Sequence, residues 1–248
     1  MRKIFHILTL LIIFVSCSTA EYRIAGKIEG ANDGDSVALG YSIYGDEFTQ
    51  TDVAIIKNEQ FEFNGNVNGC KIYYIAYEND NNEIYAPLFL EEGNINVELS
   101  QERYHITGTP TNDLNTSFEE TLTQQIKEIY EIQNRLYSDS LMSDSVRSML
   151  SLDGYEKQTN SMAYVRELIR DNITSMFGLY LIVQFYDLFD ADELTQLAAS
   201  IPKENCNREN NCLYDILQEI VSDINDPQKK DDLRYNDEIE KELMKEEE

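Results

Sequence analysis

The sequence predicts an α+β fold: an N-terminal antiparallel β-sandwich or barrel followed by a C-terminal helical domain. Three observations carry this. Between Tyr22 and about Gly108, apolar and polar residues alternate in short runs separated by Gly, Asn and Asp. The segment Gly108-Thr109-Pro110-Thr111-Asn112 interrupts that rhythm. Beyond it, apolar residues recur three and four positions apart, which is the repeat of a helix rather than of a strand.

The first run, Tyr22-Ile24-Gly26-Ile28, ends in the turn residues Asn32-Asp33-Gly34-Asp35, and Val37-Leu39-Tyr41 resumes the alternation. Val53–Ile56 leads through Lys57-Asn58-Glu59-Gln60 into Phe61-Glu62-Phe63, a hairpin with four turn residues. Further strands are expected at Ile72–Tyr77, Ile84–Leu90, Ile95–Leu99 and Tyr104–Thr107. Short strands at this spacing build a sandwich or a barrel.

Pro110 ends strand pairing, and Thr111 or Asn112 can cap a helix. Leu114, Phe118, Leu122, Ile126, Ile129 and Leu136 form its apolar stripe. Ser138–Gly154, rich in Ser and Asp, is expected to be a looser connection with at most one short helix. Met162, Val165, Leu168, Ile169, Ile173 and Met176 mark a second stripe. Phe177–Phe189 is apolar nearly all round, as a buried helix is. Asp190, three residues before Glu193, opens a capped helix that runs to about Ile201, where Pro202 follows. Leu213, Ile216, Leu217, Ile220, Val221 and Ile224 mark the last packed helix.

The first residues are an address. Arg2 and Lys3 precede a 12-residue apolar stretch, Ile4–Val15, and no acidic residue occurs before Glu21. A membrane span needs about 20 apolar residues, so this stretch has signal-peptide rather than anchor length. Phe14-Val15-Ser16-Cys17 follows the lipobox pattern, which makes Cys17 the expected lipid attachment site; cleavage after Ala20 is the rival. The expected layout is therefore a signal peptide at 1–16, a lipidated tether at 17–21, a β domain at 22–109, a helical domain at 110–225 and an acidic tail at 226–248. The tail reads as a solvated, frayed helix or a disordered segment.

Of the 248 residues, 20 are basic and 46 acidic, a formal charge of −26. No segment gathers the Lys and Arg into a patch, which argues against nucleic acid and against anionic headgroups as partners. The expected membrane contact is through the N-terminal lipid. Several acyl chains hold even an acidic body at a bilayer that one chain would hold only marginally.

Certain segments together resemble a known family. Tyr22-Arg23-Ile24-Ala25-Gly26-Lys27-Ile28, Asp33–Leu39 and Phe61-Glu62-Phe63-Asn64-Gly65 are followed by Leu88-Phe89-Leu90-Glu91-Glu92-Gly93-Asn94-Ile95 and Ile106–Asn112. In this order and spacing they resemble the N-terminal domain of unknown function 4369 of Bacteroidota lipoproteins. In such proteins a helical segment and a TlpA-type thioredoxin-like domain usually follow. The chain is expected to lack that last domain, having no Cys-x-x-Cys and no Trp. The oxidoreductase activity the family implies therefore has no residue here to carry it.

The remaining chemistry is sparse. In an oxidising envelope Cys206 and Cys212 could close a local disulfide, worth roughly 2–3 kcal/mol in the chain-entropy model. Unpaired thiols and a redox role are the alternatives, and Cys70 reads as a lone thiol. His105 is the one histidine after residue 16, which argues against a Ser-His-Asp triad or a His-based metal site. Around Asn32-Asp33-Gly34-Asp35 an EF-hand register would put Gly40 at the position that needs a bidentate Glu, so the segment reads as a turn. Asp139-Ser140-Leu141 and Asp144-Ser145-Val146, with Asp35-Ser36-Val37, match an O-glycosylation triplet, making Ser140 and Ser145 the accessible candidates. Tyr41, Tyr44, Tyr73, Tyr74, Tyr77 and Tyr85 read as strand packing, with an aromatic ligand face as the alternative. No cofactor or metal is implied.

The expected function is that of a non-catalytic envelope lipoprotein, a binding module for an envelope protein or a glycan. An accessory role in envelope thiol-disulfide exchange is the alternative. Only Ser18-Thr19-Ala20 separate Cys17 from Glu21, which favours an outer-membrane anchor facing the periplasm over surface display.

Overall fold

The computed structural model describes residues 21–41, 48–67, 72–79, 82–202 and 212–226. The alternating region forms eight strands: β1 (Glu21–Ile28), β2 (Ser36–Tyr41), β3 (Thr49–Ile55), β4 (Gln60–Asn66), β5 (Ile72–Asn79), β6 (Asn82–Phe89), β7 (Gly93–Leu99) and β8 (Tyr104–Thr107). They make two four-stranded sheets, ordered β4-β1-β7-β8 and β3-β2-β5-β6. The result is an open sandwich and not a closed barrel. Ile24, Ile28, Phe61, Phe63, Ile95 and Val97 of one sheet meet Val37, Leu39, Ile75, Tyr77, Ala86 and Leu88 of the other in a single core. Intervening residues such as Arg23 and Glu62 point outward and pair at 2.7 Å.

One pairing departs from the expected antiparallel pattern. β1 lies between β4 and β7, antiparallel to the first and parallel to the second, with Ile24 opposite Phe63 and Ile95. Alternation fixes which face of a strand is buried but carries no information on direction. The β3–β4 turn is also tighter than predicted. Lys57 bridges Gln60, leaving Asn58 (φ 53°) and Glu59 (φ 62°) as a two-residue left-handed turn. The Glu59 carboxylate accepts the Gly30 N–H at 2.9 Å and meets Lys27 Nζ at 3.2 Å, which fixes this turn to β1.

The helical half comprises α1 (Pro110–Ser138), α2 (Asp144–Asn172), α3 (Met176–Gln184), a 3-10 turn (Tyr186–Leu188), α4 (Ala191–Ser200) and α5 (Cys212–Asn225). α1 begins at Pro110 with Thr109 as its N-cap, two to three residues earlier than expected. The expected loose segment 138–154 is mostly helix: only Asp139–Ser143 connects α1 to α2, which runs unbroken through Gly154. Packing overrides the Ser/Asp composition there, since a Cβ on Gly154 would lie 3.2 Å from Ile132 Cγ2 across the hairpin. Asp190 caps α4 as its spacing predicts, its carboxylate accepting the Glu193 N–H at 2.8 Å. Glu193 does not close the reciprocal box; its carboxylate pairs with Arg166 at 2.6 Å and with Arg170 of α2.

A second core joins the helices to the β-sandwich. Ile72 and Phe89 of the sheet enter it beside Phe118, Val165, Ile169, the whole of α3 from Phe177 to Val183, Leu194 and Leu217. Phe89 packs edge-on against Phe177 and Tyr180, with ring centroids 6.1 and 5.5 Å apart. Phe118 does the same with Phe177 and Phe185. Four members of the predicted stripes lie outside this core: Ile129 and Leu136 are partly buried, whereas Ile126 is 55% and Met162 43% exposed.

Candidate functional site

The junction between sandwich and α1 is held by side chains that imitate a neighbouring strand. Asn112 is 1% exposed. Its Oδ1 accepts the Phe89 N–H at 3.0 Å, and its Nδ2 donates to the Phe89 carbonyl at 2.7 Å and to Thr109 Oγ1 at 2.7 Å. One turn on, the Thr116 hydroxyl donates to the Ile106 carbonyl at 2.6 Å and accepts the Ile106 N–H at 3.2 Å. Backbone groups of β6 and β8 that have no strand beside them are thereby satisfied inside the fold. The Glu91 carboxylate accepts both the N–H and the hydroxyl of Thr111, supplying an anion to the first turn of α1. Gly108 (φ 102°) is needed where the chain enters this latch, because a Cβ there would lie 2.3 Å from the Asn94 carbonyl.

These contacts set the direction of α1. Thr116 lies beside Ile106, and Glu119 and Glu120 lie beside Tyr104 and His105. The helix therefore runs antiparallel to β8, from the sheet end where β1 starts toward the opposite end. There it walls a cleft of about 460 Å³ whose floor includes Ser100, Glu102, Arg103 and Tyr104, with Glu83 and Tyr85 of β6 at its side.

Inside the cleft, Glu119 hydrogen-bonds Tyr104. Burial pushes the Glu119 carboxyl above the usual range, and the Tyr104 bond partly offsets this. Burial, with the Glu119 charge adding to it, raises the Tyr104 and Tyr180 phenols. His105 Nδ1 sits 3.3 Å from Glu120 in a half-exposed pair, an arrangement that stabilises a fold little. A carboxyl, a phenol and an imidazole are present, but no aligned nucleophile–base pair is formed by them. Among the described residues there is no group of three or more His, Cys, Asp or Glu able to hold a metal. Glu83, Glu102, Glu119 and Glu120 give the cleft a largely acidic lining.

Residues 22–115 match the family model of a domain of unknown function (DUF4369). The matched segment contains all eight strands and ends inside α1, beyond Asn112. The Asn112 contacts of the latch thus fall within the match and Thr116 lies one residue beyond it; the sandwich with the first turn of α1 is the matched unit. That family model assigns no activity. No curated protein matches the chain.

The predicted site residues are dispersed. Cys17, Cys70 and Cys206 lie outside the described residues, as does the side chain of Cys212, the first residue of α5. Ser140 is exposed in the α1–α2 connection, and Ser145 is exposed in the first turn of α2. Arg147 braces that connection by donating to the Leu136 carbonyl at 2.8 Å and the Asp139 carbonyl at 3.2 Å. The third triplet is built into the sandwich, where Asp35 accepts the Tyr77 hydroxyl at 2.7 Å. Tyr73 and Tyr77 are buried between the sheets, and Tyr74 packs against the helical core, whereas Tyr85 is half exposed; Tyr44 lies outside the described residues. Sequence reasoning missed Asn112 as a latch and the Tyr104–Glu119 pair. A signal existed: Asn112, Thr116, Glu119 and Thr123 recur at four- and three-residue steps, a second face on α1 beside the apolar stripe.

Proposed function

We propose that this chain is a lipid-anchored, non-catalytic binding module of a bacterial cell envelope. The observation that carries the reading is the order Arg2-Lys3, Ile4–Val15, Phe14-Val15-Ser16-Cys17, with β1 beginning only four residues later at Glu21. Four residues span at most about 14 Å, so a lipid on Cys17 keeps the first sheet close to the headgroups. No helix among the described residues is long and apolar enough to cross a membrane, and in this reading attachment rests on the lipid. The resemblance to Bacteroidota lipoproteins supports an outer-membrane anchor facing the periplasm and kinship with thioredoxin-like lipoproteins. The acidic cleft at the sandwich–helix junction supports binding as its task.

Growth with radiolabelled palmitate tests the anchor. The reading expects label on the wild-type chain and none on Cys17→Ala; an unlabelled wild type refutes it. Thiol trapping in the same cells tests the binding role against thiol-disulfide exchange. Mixed disulfides through Cys206 or Cys212 would overturn the non-catalytic reading.

A further inference from the structure

α1 carries two seams of residues at helical spacing, one apolar and packed, the other polar where it meets the sandwich and apolar and exposed beyond it. Phe118, Leu122, Gln125, Ile129, Ile132 and Leu136, alternately four and three residues apart, face α2 and the helical core. The second row begins with Asn112, Thr116, Glu119 and Thr123, which face the sandwich and the cleft. At the same spacing it continues through Ile126, Tyr130, Gln133 and Tyr137. At 3.6 residues per turn these positions lie on one side of the helix. They extend past the end of the sheet, where Ile126 is 55%, Tyr130 61% and Tyr137 90% exposed. Within residues 123–158 only Ile132 and Leu150 are buried. Helices in proteins draw most of their stability from packing, so this hairpin is thinly supported as it stands.

We propose that the free seam and the cleft below it are a docking site for an amphipathic helix with basic flanks, supplied by a partner protein. Ile126, Tyr130 and Tyr137 offer about three helical turns of heptad-spaced contact. The cleft beneath it sets Glu83, Glu102, Glu119 and Glu120 against Arg103 and His105, so a cationic flank is complementary and an acidic one is repelled. A second copy of this chain is disfavoured by geometry. The sandwich stands on the same side of α1 as the seam, so two copies anchored in one membrane would collide there, and antiparallel copies would point their anchors apart. The membrane that would hold Cys17 is disfavoured too, because the hairpin points away from the sheet end where β1 begins.

This inference rests on the binding-module reading, and its test separates the two. The lipidated full chain, in nanodiscs of zwitterionic lipid, is titrated with a labelled 18-residue peptide bearing Leu at the a and d positions of its heptads and Lys on the flanks. Controls are a same-composition scramble without the heptad, a Glu-flanked version and empty discs. The proposal expects saturable one-to-one binding of the Lys peptide, about tenfold or more tighter than that of the scramble or the Glu-flanked version and absent on empty discs. Ile126→Ser and Tyr130→Ser, both at exposed positions, should each weaken it about tenfold with the far-UV circular dichroism unchanged. Equal binding of the scramble, or no effect of either substitution, overturns it. So does a dimer in analytical ultracentrifugation that Tyr130→Ser dissociates, which would make the occupant a second copy. Failure here with palmitate label intact removes this docking site and leaves the anchored module standing; loss of the label removes the anchor.

Discussion

Replacing Asn112 with alanine removes both partners of the Phe89 peptide group at a position that is 1% exposed. The cost is set less by the bonds lost than by the two backbone groups left buried without water. Each unsatisfied group costs about 1–3 kcal/mol, so the pair amounts to about 4 kcal/mol. Domains are stable by roughly 5–15 kcal/mol, and at this chain length about 4 kcal/mol corresponds to a fall in Tm of roughly 10 °C. Urea denaturation followed by far-UV circular dichroism and tyrosine fluorescence measures it, the chain having no Trp. Asn112→Asp sharpens the test. It keeps the acceptor for the Phe89 N–H but, when ionised, cannot donate to the Phe89 carbonyl and buries a charge. Burial raises the folded-state pKa of such a carboxyl, so the variant's stability falls as pH rises through that value and recovers as pH drops. An alanine variant that loses less than about 1 kcal/mol would refute the account of the latch, as would an aspartate variant indifferent to pH.

Three further outcomes are expected. Gly178→Ala should destabilise by about 3 kcal/mol in the same denaturation assay, because the added Cβ would lie 2.0 Å from the Asn172 carbonyl oxygen, a backbone atom. Asp190→Ala should cost about 1 kcal/mol through the lost cap on α4, whereas Asp190→Asn should restore most of it. Glu119→Gln should raise Tm at neutral pH. Burial holds the folded carboxyl's pKa above its unfolded value, so the wild type's stability is fullest below the unfolded value and declines as pH rises through the folded one. Thermal melts of the two proteins should therefore converge in acid, and a wild-type advantage at neutral pH would contradict the buried-carboxyl assignment.

The strands were legible because each of them is half buried: Ile24, Ile28, Val37, Leu39, Phe61 and Phe63 announce their inward face through period two alone. The parallel neighbour of β1 was not, since strand direction depends on partners far along the chain. The start of α4 at Asp190 could be read from capping chemistry, whereas α1 begins ahead of its expected caps, behind a Thr109 whose side chain makes no cap bond. The continuity of α2 through Gly154 could not, because Ile132, which lies against that glycine, belongs to another helix. Ile126 shows the limit at the candidate site. It fits a buried stripe by spacing, yet it belongs to the second face of α1, which runs past the sandwich into solvent. Asn112 reads in the sequence as a cap; only the fold places Phe89 within reach of its amide.

The central position of β1 bears on how the molecule carries load. Any pull arriving through the N-terminus acts along this strand, held by seven residue pairs to β4 on one side and seven to β7 on the other. Tension along the strand shears both ladders at once, so their bonds must yield together and not one after another. The strand nearest the N-terminus is then the one hardest to draw out of the sheet, and a pull arriving there is shared across the sandwich before it reaches the latch or the hairpin.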